Sequence, residues 1–172
     1  MANIQHPPLI RGNDLSKTEE SMAVVVGMTE SLQAGSNDMA AHFHDDFRWM
    51  GNTGCGTKNG NKEFRDNWQL PLRAAFSDRE YFEEARLAQG EWVSSFGYIE
   101  ATHSGEFMGI APTGKRIKIK YTDFWKIKAG KITDNWVNVD FACVLAQLGV
   151  DIFNGEGWEK LDEASVEPPR AD

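Results

Sequence analysis

The sequence predicts a single α+β domain in which helices come first and an antiparallel sheet follows. Two observations support this fold class. The early part of the chain carries a helix-capping pattern and apolar residues at helical spacing, whereas four later segments are rich in β-formers and are separated by short turns. Short turns join only antiparallel neighbours, because parallel strands need long crossovers. We therefore expect a curved antiparallel sheet, with the N-terminal helices covering one face and enclosing a cavity.

Composition narrows the range of partners. The 172 residues carry a net charge of −8, which argues against nucleic acid as a partner because phosphate binding needs a basic surface. No stretch is long and apolar enough to span a membrane, and no secretory signal is visible. The two cysteines form neither a disulfide framework nor a metal motif. We expect a cytoplasmic protein with no metal and no cofactor.

Three regions are predicted along the chain. Residues 1–15 hold a His-Pro-Pro stretch and are expected to form a flexible N-terminal arm. Residues 16–150 form the single domain. Residues 151–172 are expected to be a largely disordered C-terminal extension, because the tail is acidic and contains proline.

The predicted helices are defined by their end signals. Ser16 and Glu19 form a capping box at the start of the first helix, and Gly35 ends it. Residues 36–38 are predicted to cap a short second helix that reaches His42. After a short strand at residues 47–50 and a glycine-rich loop over the cavity mouth at 51–60, a further helix begins near residue 61 and is interrupted at Pro71.

Four strands and a closing helix complete the domain. The strands are predicted at residues 81–88, 91–108, 116–127 and 131–139. Asp140 caps the closing helix, which spans 141–148, and Gly149 follows it.

One predicted strand carries an acidic residue on its apolar face. Alternate side chains of a strand point to the same face, and in segment 116–127 they form an inward row of Ile117, Ile119, Tyr121, Asp123, Trp125 and Ile127. A carboxylate among apolar residues is costly unless it is paired, solvated or protonated. Asp123 is therefore predicted to line the cavity, with a structural ion pair as the alternative.

A set of short motifs in the second half of the chain resembles a known family. They are GEFMGIAPTG at 105–114, the Asp123 strand, GKITD at 130–134, Asp140-Phe141, and QLG at 147–149. Together they resemble the SnoaL-like polyketide cyclase family of the NTF2-like superfamily. The resemblance implies a cone-shaped α+β fold and a homodimer or higher homo-oligomer through the sheet. It also implies cofactor-free intramolecular aldol closure of polyketide esters.

The resemblance also indicates how this chain departs from the cyclases. Counted from the turn at Gly130, Val137 stands where the cyclases have their catalytic aspartate, and Asp123 stands where they have a nearby histidine. Trp49 replaces an asparagine of the family. Because a valine can neither take nor give a proton, the acid-base group would have moved to the neighbouring strand.

Three residues are the candidate catalytic groups. Asp123 is the predicted general base, since burial would raise its pKa toward neutrality. His103 is predicted either to partner Asp123 or to donate a hydrogen bond to the enolate oxygen. The alternative is that His103 has only a structural role. Tyr121 is a candidate oxyanion donor, with a plain core aromatic as the alternative.

Five further residues are predicted to bind a small hydrophobic substrate: Trp49, Trp68, Trp125, Asn135 and Val137. The leading hypothesis is a cofactor-independent cyclase or isomerase that acts on a polyketide-like or aromatic carbonyl compound. A non-catalytic ligand-binding module and a hydratase or dehydratase remain alternatives. An enzyme requires a second polar group near Asp123 in an open cavity, whereas a binder or scaffold would neutralise Asp123 with a salt bridge.

Overall fold

The computed structural model describes residues 14–162, so the predictions for 1–13 and 163–172 lie outside the described residues. Helices and strands follow the expected order, except that the second predicted helix is missing and a short strand lies in the predicted loop at 51–60. They are α1 (Leu15–Gln33), β1 (Phe43–Gly51), β2 (Thr57–Asn59), α2 (Gly60–Phe64), a π segment (Arg65–Gln69), α3 (Leu70–Ala75), β3 (Phe76–Gln89), β4 (Trp92–His103), β5 (Arg116–Lys128), β6 (Lys131–Val139), α4 (Phe141–Gln147) and a 3₁₀ turn (Trp158–Leu161).

The six strands form one curved, unclosed sheet in the order β2-β1-β6-β5-β4-β3. Strands β3 to β6 make the predicted antiparallel meander. The expectation of a purely antiparallel sheet is wrong at one place, because β1 pairs with β6 in parallel. Short turns predict only neighbours that follow each other in sequence, and these two strands lie far apart in the chain.

The first helix begins earlier than predicted. Asp14 is its N-cap and accepts a hydrogen bond from the Lys17 amide at 3.0 Å. The predicted capping box at Ser16 is therefore wrong, and Leu15 belongs to the helix rather than to an N-terminal arm. The predicted end is confirmed, since Gly35 follows the last turn with φ of +87°.

The short helix predicted up to His42 is absent. Residues 40–42 form a turn, and β1 already begins at Phe43. Phe43 and Phe47 are both buried, and their rings stack at 3.8 Å. This aromatic pair extends β1 four residues beyond the prediction on its N-terminal side.

The helix interrupted by proline is a continuous helical run from α2 to α3 with a π segment in its middle. Pro71 has no amide hydrogen to donate to the preceding turn, and the run widens immediately before it. The π segment carries Trp68 and Gln69 to the interior. Together with α1, this run covers the concave face of the sheet.

The end of the domain follows the prediction. Asp140 caps α4 by accepting from the Cys143 amide at 2.9 Å, and Gly149 adopts a φ of +94°. Residues 151–162, expected to be largely disordered, contain a turn and the 3₁₀ segment. No helix among the described residues is long and apolar enough to cross a membrane.

Candidate functional site

A cavity of about 140 Å³ lies between the concave face of the sheet and the helices. Its wall is mostly apolar and takes residues from α1, the helical run and every strand except β2. The lining residues are Met28, Thr29, Leu32, Phe43, Trp49, Phe64, Trp68, Gln69, Leu72, Arg73, Arg79, Tyr81, Ser95, Ile99, Ile119, Tyr121, Asp123, Trp125, Asn135, Val137 and Val139.

Asp123 sits in the middle of this wall. In the strand register it lies directly opposite Val137 on β6 and Ser95 on β4. Asn135 donates a hydrogen bond from Nδ2 to Oδ1 of Asp123 at 2.9 Å. Within residues 14–162, no Lys, Arg or His forms a salt bridge with this carboxyl group. Asp123 therefore has a polar partner but no counter-charge.

The surroundings of Asp123 favour its neutral form. Burial raises the pKa of Asp123 to about 7, the hydrogen bond from Asn135 opposes that rise, and the negative charge of Glu83 adds to it. Desolvation disfavours the carboxylate because the apolar wall cannot replace water around a charge. The carboxyl group is thus poised to bind and release a proton near neutral pH.

Tyr121 lies two residues from Asp123 on the same face of β5 and also lines the cavity. Burial, followed by the charges of Glu83 and Asp123, raises the pKa of its phenol above the ordinary value. The hydroxyl therefore stays protonated at neutral pH. It can donate a hydrogen bond to an oxygen that becomes negative during a reaction.

Arg86 lies two strands from Asp123 at the same level of the sheet, but it forms an ion pair with Glu83. Arg86 on β3 faces Ser95, which faces Asp123. A β-bulge between Glu83 and Ala85 turns both Glu83 and Arg86 inward, and Arg86 binds Glu83 through Nε at 2.6 Å and Nη2 at 2.5 Å. Gly97 permits this bulge, because a Cβ there would lie 2.1 Å from the Phe82 carbonyl oxygen.

The three predicted tryptophans all line the cavity. Trp49 and Trp68 lie with ring centroids 4.4 Å apart, which joins β1 to the π segment. Trp125 is buried two residues beyond Asp123. Asn135 and Val137 complete the predicted binding set in the wall, so the structure brings together every predicted site residue except His103.

The prediction that His103 partners Asp123 is wrong. His103 is fully buried at the end of β4, eight residues beyond Ser95, which corresponds to about 26 Å along the strand. Its Nδ1 accepts a hydrogen bond from the Thr113 amide at 3.3 Å, and its ring packs near Phe76. His103 and Asp123 both face inward, but His103 contacts the turn before β5 and does not line the cavity.

Several polar residues of the cavity wall were not predicted from the sequence. Ser95 has the inward parity of β4 and could have been found from the same alternation that revealed Asp123. Gln69 and Arg79 gave no comparable signal, because a π segment and a β-bulge determine where they point. Arg73 lies on α3, which follows the π segment. Within the described part of the chain, no cluster of three or more His, Cys, Asp or Glu side chains could hold a metal ion.

Comparison with known proteins identifies the family. The model of the SnoaL-like polyketide cyclases matches residues 23–148, which is more than half of the chain. The chain belongs to the SnoaL-like polyketide cyclase family. Nogalonic acid methyl ester cyclase from Streptomyces nogalater is 30% identical over 135 residues, covering 76% of this chain and 98% of the relative.

Two further similarities agree with this assignment. Aklanonic acid methyl ester cyclase AcmA from Streptomyces galilaeus is 26% identical, covering 76% of this chain and 91% of the relative. The crystal structure of an NTF2-like protein from Burkholderia thailandensis E264 superposes with a TM-score of 0.63 at 20% identity, over 74% of this chain and 95% of that protein. The predicted NTF2-like α+β fold is confirmed.

Proposed function

We propose that this SnoaL-like protein is a cofactor-independent cyclase that closes a ring in a hydrophobic polyketide ester by acid-base catalysis. The observation that carries the proposal is Asp123, a carboxyl group without a counter-charge in the wall of an apolar cavity. The names of the two relatives describe cyclases of methyl esters of nogalonic and aklanonic acid. We extend that substrate class to this chain.

In the proposed reaction, Asp123 takes one proton from the substrate and later returns it to the product. The Asp123 carboxylate takes a proton from a carbon next to a carbonyl group, and the electrons of that C–H bond form an enolate. The enolate carbon then bonds to a second carbonyl carbon of the same molecule. The resulting alkoxide takes the proton from Asp123, so the carboxylate is regenerated and no oxidant or reductant is needed. Tyr121 donates a hydrogen bond to the enolate oxygen.

The pairing of β5 with β6 supports a general base on β5 in place of the family's usual aspartate on β6. Val137, at the position where the resemblance implies the usual catalytic aspartate, lies directly opposite Asp123. Both side chains line the same cavity. A carboxyl group on either strand would reach the same ligand, and Asn135 keeps Asp123 oriented toward it.

Turnover by substituted proteins tests the proposal. The two named methyl esters are incubated with the parent, Asp123→Asn and Asp123→Leu, and the cyclised product is measured by chromatography. We expect both substitutions to lower kcat by about 10²-fold or more, since general base catalysis contributes on that order. Asp140→Asn is the matched control, because asparagine also caps a helix and this position lies outside the cavity.

The same turnover experiment distinguishes a cyclase from a non-catalytic ligand-binding module. A leucine variant that is as stable and as active as the parent would mean that Asp123 is neither catalytic nor paired. Binding of the esters without turnover by the parent would favour a non-catalytic module. Water added to or lost from the substrate without ring closure would favour a hydratase or dehydratase.

Tyr121→Phe tests the oxyanion donor separately. We expect kcat to fall about 10²- to 10³-fold with little change in KM, because the hydroxyl contributes mainly when charge develops. Tyr98→Phe is the matched control: Tyr98 stacks on Phe82 outside the cavity, and a phenylalanine keeps that stack. An unchanged kcat in Tyr121→Phe would leave Tyr121 as a core aromatic.

The outer face of the sheet and the cysteines bear on assembly and location. The convex face of the sheet exposes a group of aromatic side chains: Phe82, Phe96, Phe124 and Trp136. Such an apolar patch is typical of a protein–protein interface. We therefore propose a homodimer through the sheet, and a cytoplasmic setting in which the two free cysteines stay reduced.

A further inference from the structure

One end of the cavity is cationic. Arg73 on α3 and Arg79 on β3 both line the wall, together with Gln69 and Tyr81. The two arginines lie close enough to affect each other, because burial and then the charge of Arg79 lower the pKa of Arg73. Two neighbouring guanidinium groups in a mostly apolar wall are unfavourable unless an anion comes between or beside them.

Neither of these arginines has an acidic partner among the described residues, although the protein has an excess of acidic residues. Six arginines lie in the described part of the chain, and the four outside the cavity wall, Arg48, Arg65, Arg86 and Arg116, each pair with a carboxylate. Arg73 instead donates to the carbonyl oxygens of Gly35 and Ser36, the latter at 2.7 Å. Among the arginines of residues 14–162, only those of the cavity wall are left without a counter-charge.

Arg79 keeps donors for a ligand. Its Nη1 donates to the Phe76 carbonyl oxygen at 2.5 Å, whereas its Nε is buried and has no hydrogen-bond partner among the described residues. A buried donor without a partner is unfavourable, because it has lost its hydrogen bonds to water and gained none in return. The Nε edge of a guanidinium group is suited to binding a carboxylate or another planar oxygen pair.

Gln69 adds a second unsatisfied group at the same end. Its side chain is only 4% exposed, and Oε1 has no partner among residues 14–162. Its Nε2 makes a long contact of 3.4 Å with the Ser36 carbonyl oxygen. A free amide oxygen beside a guanidinium group can accept a hydroxyl hydrogen while the cation binds a negative oxygen.

The backbone is arranged to direct Arg79 inward. The register of β3 shifts between Ser77 and Glu80, and Asp78 has a φ of +49°, which is unfavourable for a residue other than glycine. Such bulges turn a side chain toward a site and are frequent beside functional groups. The strain at Asp78 is thus consistent with a functional placement of Arg79.

We propose that Arg79, with Arg73 and Gln69, forms a subsite that binds an anionic oxygen group at one end of the substrate: a phenolate where the carboxyl group is esterified, or a free carboxylate where it is not. The substrate class rests on the proposed cyclase function. Tyr81 is level with Ile119 across the sheet, and Ile119 lies four residues before Asp123, about 13 Å along β5. Arg79 comes two residues before Tyr81, so the ligand is elongated, with its anion at Arg79 and its reacting carbon at Asp123.

A pair of matched probes tests the subsite without turnover. Anthraquinone-2-carboxylate and its methyl ester differ in charge but share a planar ring system, and their Kd values are measured by calorimetry and by quenching of the cavity tryptophans. We expect the parent to bind the carboxylate at least tenfold more tightly than the ester. Arg79→Gln should abolish this preference while leaving the Kd of the ester within twofold.

Two further variants sharpen the experiment. Arg79→Lys keeps the charge but loses the two-donor edge, and we expect it to retain only part of the preference. Arg65→Gln is the matched control on the same helical run, since Arg65 pairs with Asp66 and does not line the cavity. It should retain the full preference of the parent.

Three outcomes would overturn the subsite: equal affinity of the parent for both probes, an equal loss for both probes in Arg79→Gln, or no binding of either probe. Asp123→Asn should keep the preference for the carboxylate. A failure of the proposed cyclase reaction would appear as absent turnover with the preference intact. A failure of the subsite would appear as equal binding, whatever the turnover.

Discussion

At the scale of single residues, the chemistry depends on a balance around Asp123. Burial disfavours its carboxylate more than the single hydrogen bond from Asn135 favours it, and the nearest inward arginine, Arg86, is already paired with Glu83. The same apolar wall keeps the Tyr121 phenol protonated. A proton acceptor and a hydrogen-bond donor therefore lie side by side on one strand.

This balance predicts how stability depends on pH. The pKa of Asp123 is raised from 3.8 to about 7, so folding binds a proton here, and its contribution is fully present below pH 3.8 and is lost as the pH rises to about 7. We expect the free energy of unfolding of the parent, relative to Asp123→Asn, to fall by up to about 1.4 kcal/mol per pH unit in that window.

Denaturant unfolding of both proteins between pH 4 and pH 8 measures this difference. The asparagine variant serves as the reference because it cannot ionise, so the effects of all other carboxylates cancel in the comparison. A difference that stays constant, or that grows with pH, would show that the folded protein does not raise the pKa of Asp123.

At the scale of secondary structure, the start of α1 distinguishes two possible caps. The Asp14 side chain accepts from the Lys17 amide, whereas Ser16 lies inside the helix. We expect Asp14→Ala to lower the free energy of unfolding by about 1 kcal/mol, and Ser16→Ala to change it by less than about 0.5 kcal/mol. Thermal unfolding checks both, and the reverse order would support the capping box at Ser16.

The turn between β5 and β6 holds a residue other than glycine in a left-handed backbone conformation, and a substitution could relieve that strain. Its two turn residues, Ala129 and Gly130, have φ values of +48° and +72°. Only glycine and, to a lesser extent, asparagine adopt this conformation readily. We expect Ala129→Asn to raise the free energy of unfolding by about 1 kcal/mol, with Gly130→Ala as a destabilising comparison. A lower melting temperature for Ala129→Asn would contradict the turn geometry.

The elements were predictable where a local signal determined them. Alternation predicted the inward face of β5, and the turns at Gly114 and Gly130 predicted its antiparallel neighbours β4 and β6. The first half was less predictable. Pairing of Phe43 with Ile132 extends β1, and the π segment before Pro71 depends on packing against distant strands. Neither is visible in the spacing of nearby residues.

At the scale of the whole molecule, the proposed homodimer rests on the exposed aromatic side chains of the convex face. Phe124 and Trp136 lie opposite each other there, with 49% and 39% of their surfaces exposed. We expect a dimer by analytical ultracentrifugation and a monomer for Phe124→Glu, because a charge in an apolar interface is costly. Leu15→Glu, at an exposed position of α1, is the control. A monomeric parent would contradict the proposed interface.

The residues of the candidate site could be predicted from the sequence only where the alternation of side chains along a strand showed which face they occupy. Asp123, Tyr121 and Trp125 share the parity of β5, and parity also selected Asn135 on β6. His103 has the correct parity but the wrong position along β4, because parity gives a face and not a distance. The cavity depends on how the helical run closes over the sheet, so Gln69 and Arg79 became visible only in three dimensions.

The pH profile of ring closure tests the central claim most directly. The quantity is kcat/KM for cyclisation of nogalonic acid methyl ester between pH 5 and pH 9, compared between the parent and Asp123→Asn. If Asp123 is the base, kcat/KM rises with pH and levels off above an apparent pKa of about 7. The variant should be about 10²-fold slower or more and lack that bend. A variant that keeps both the rate and the bend would show that another group moves the proton.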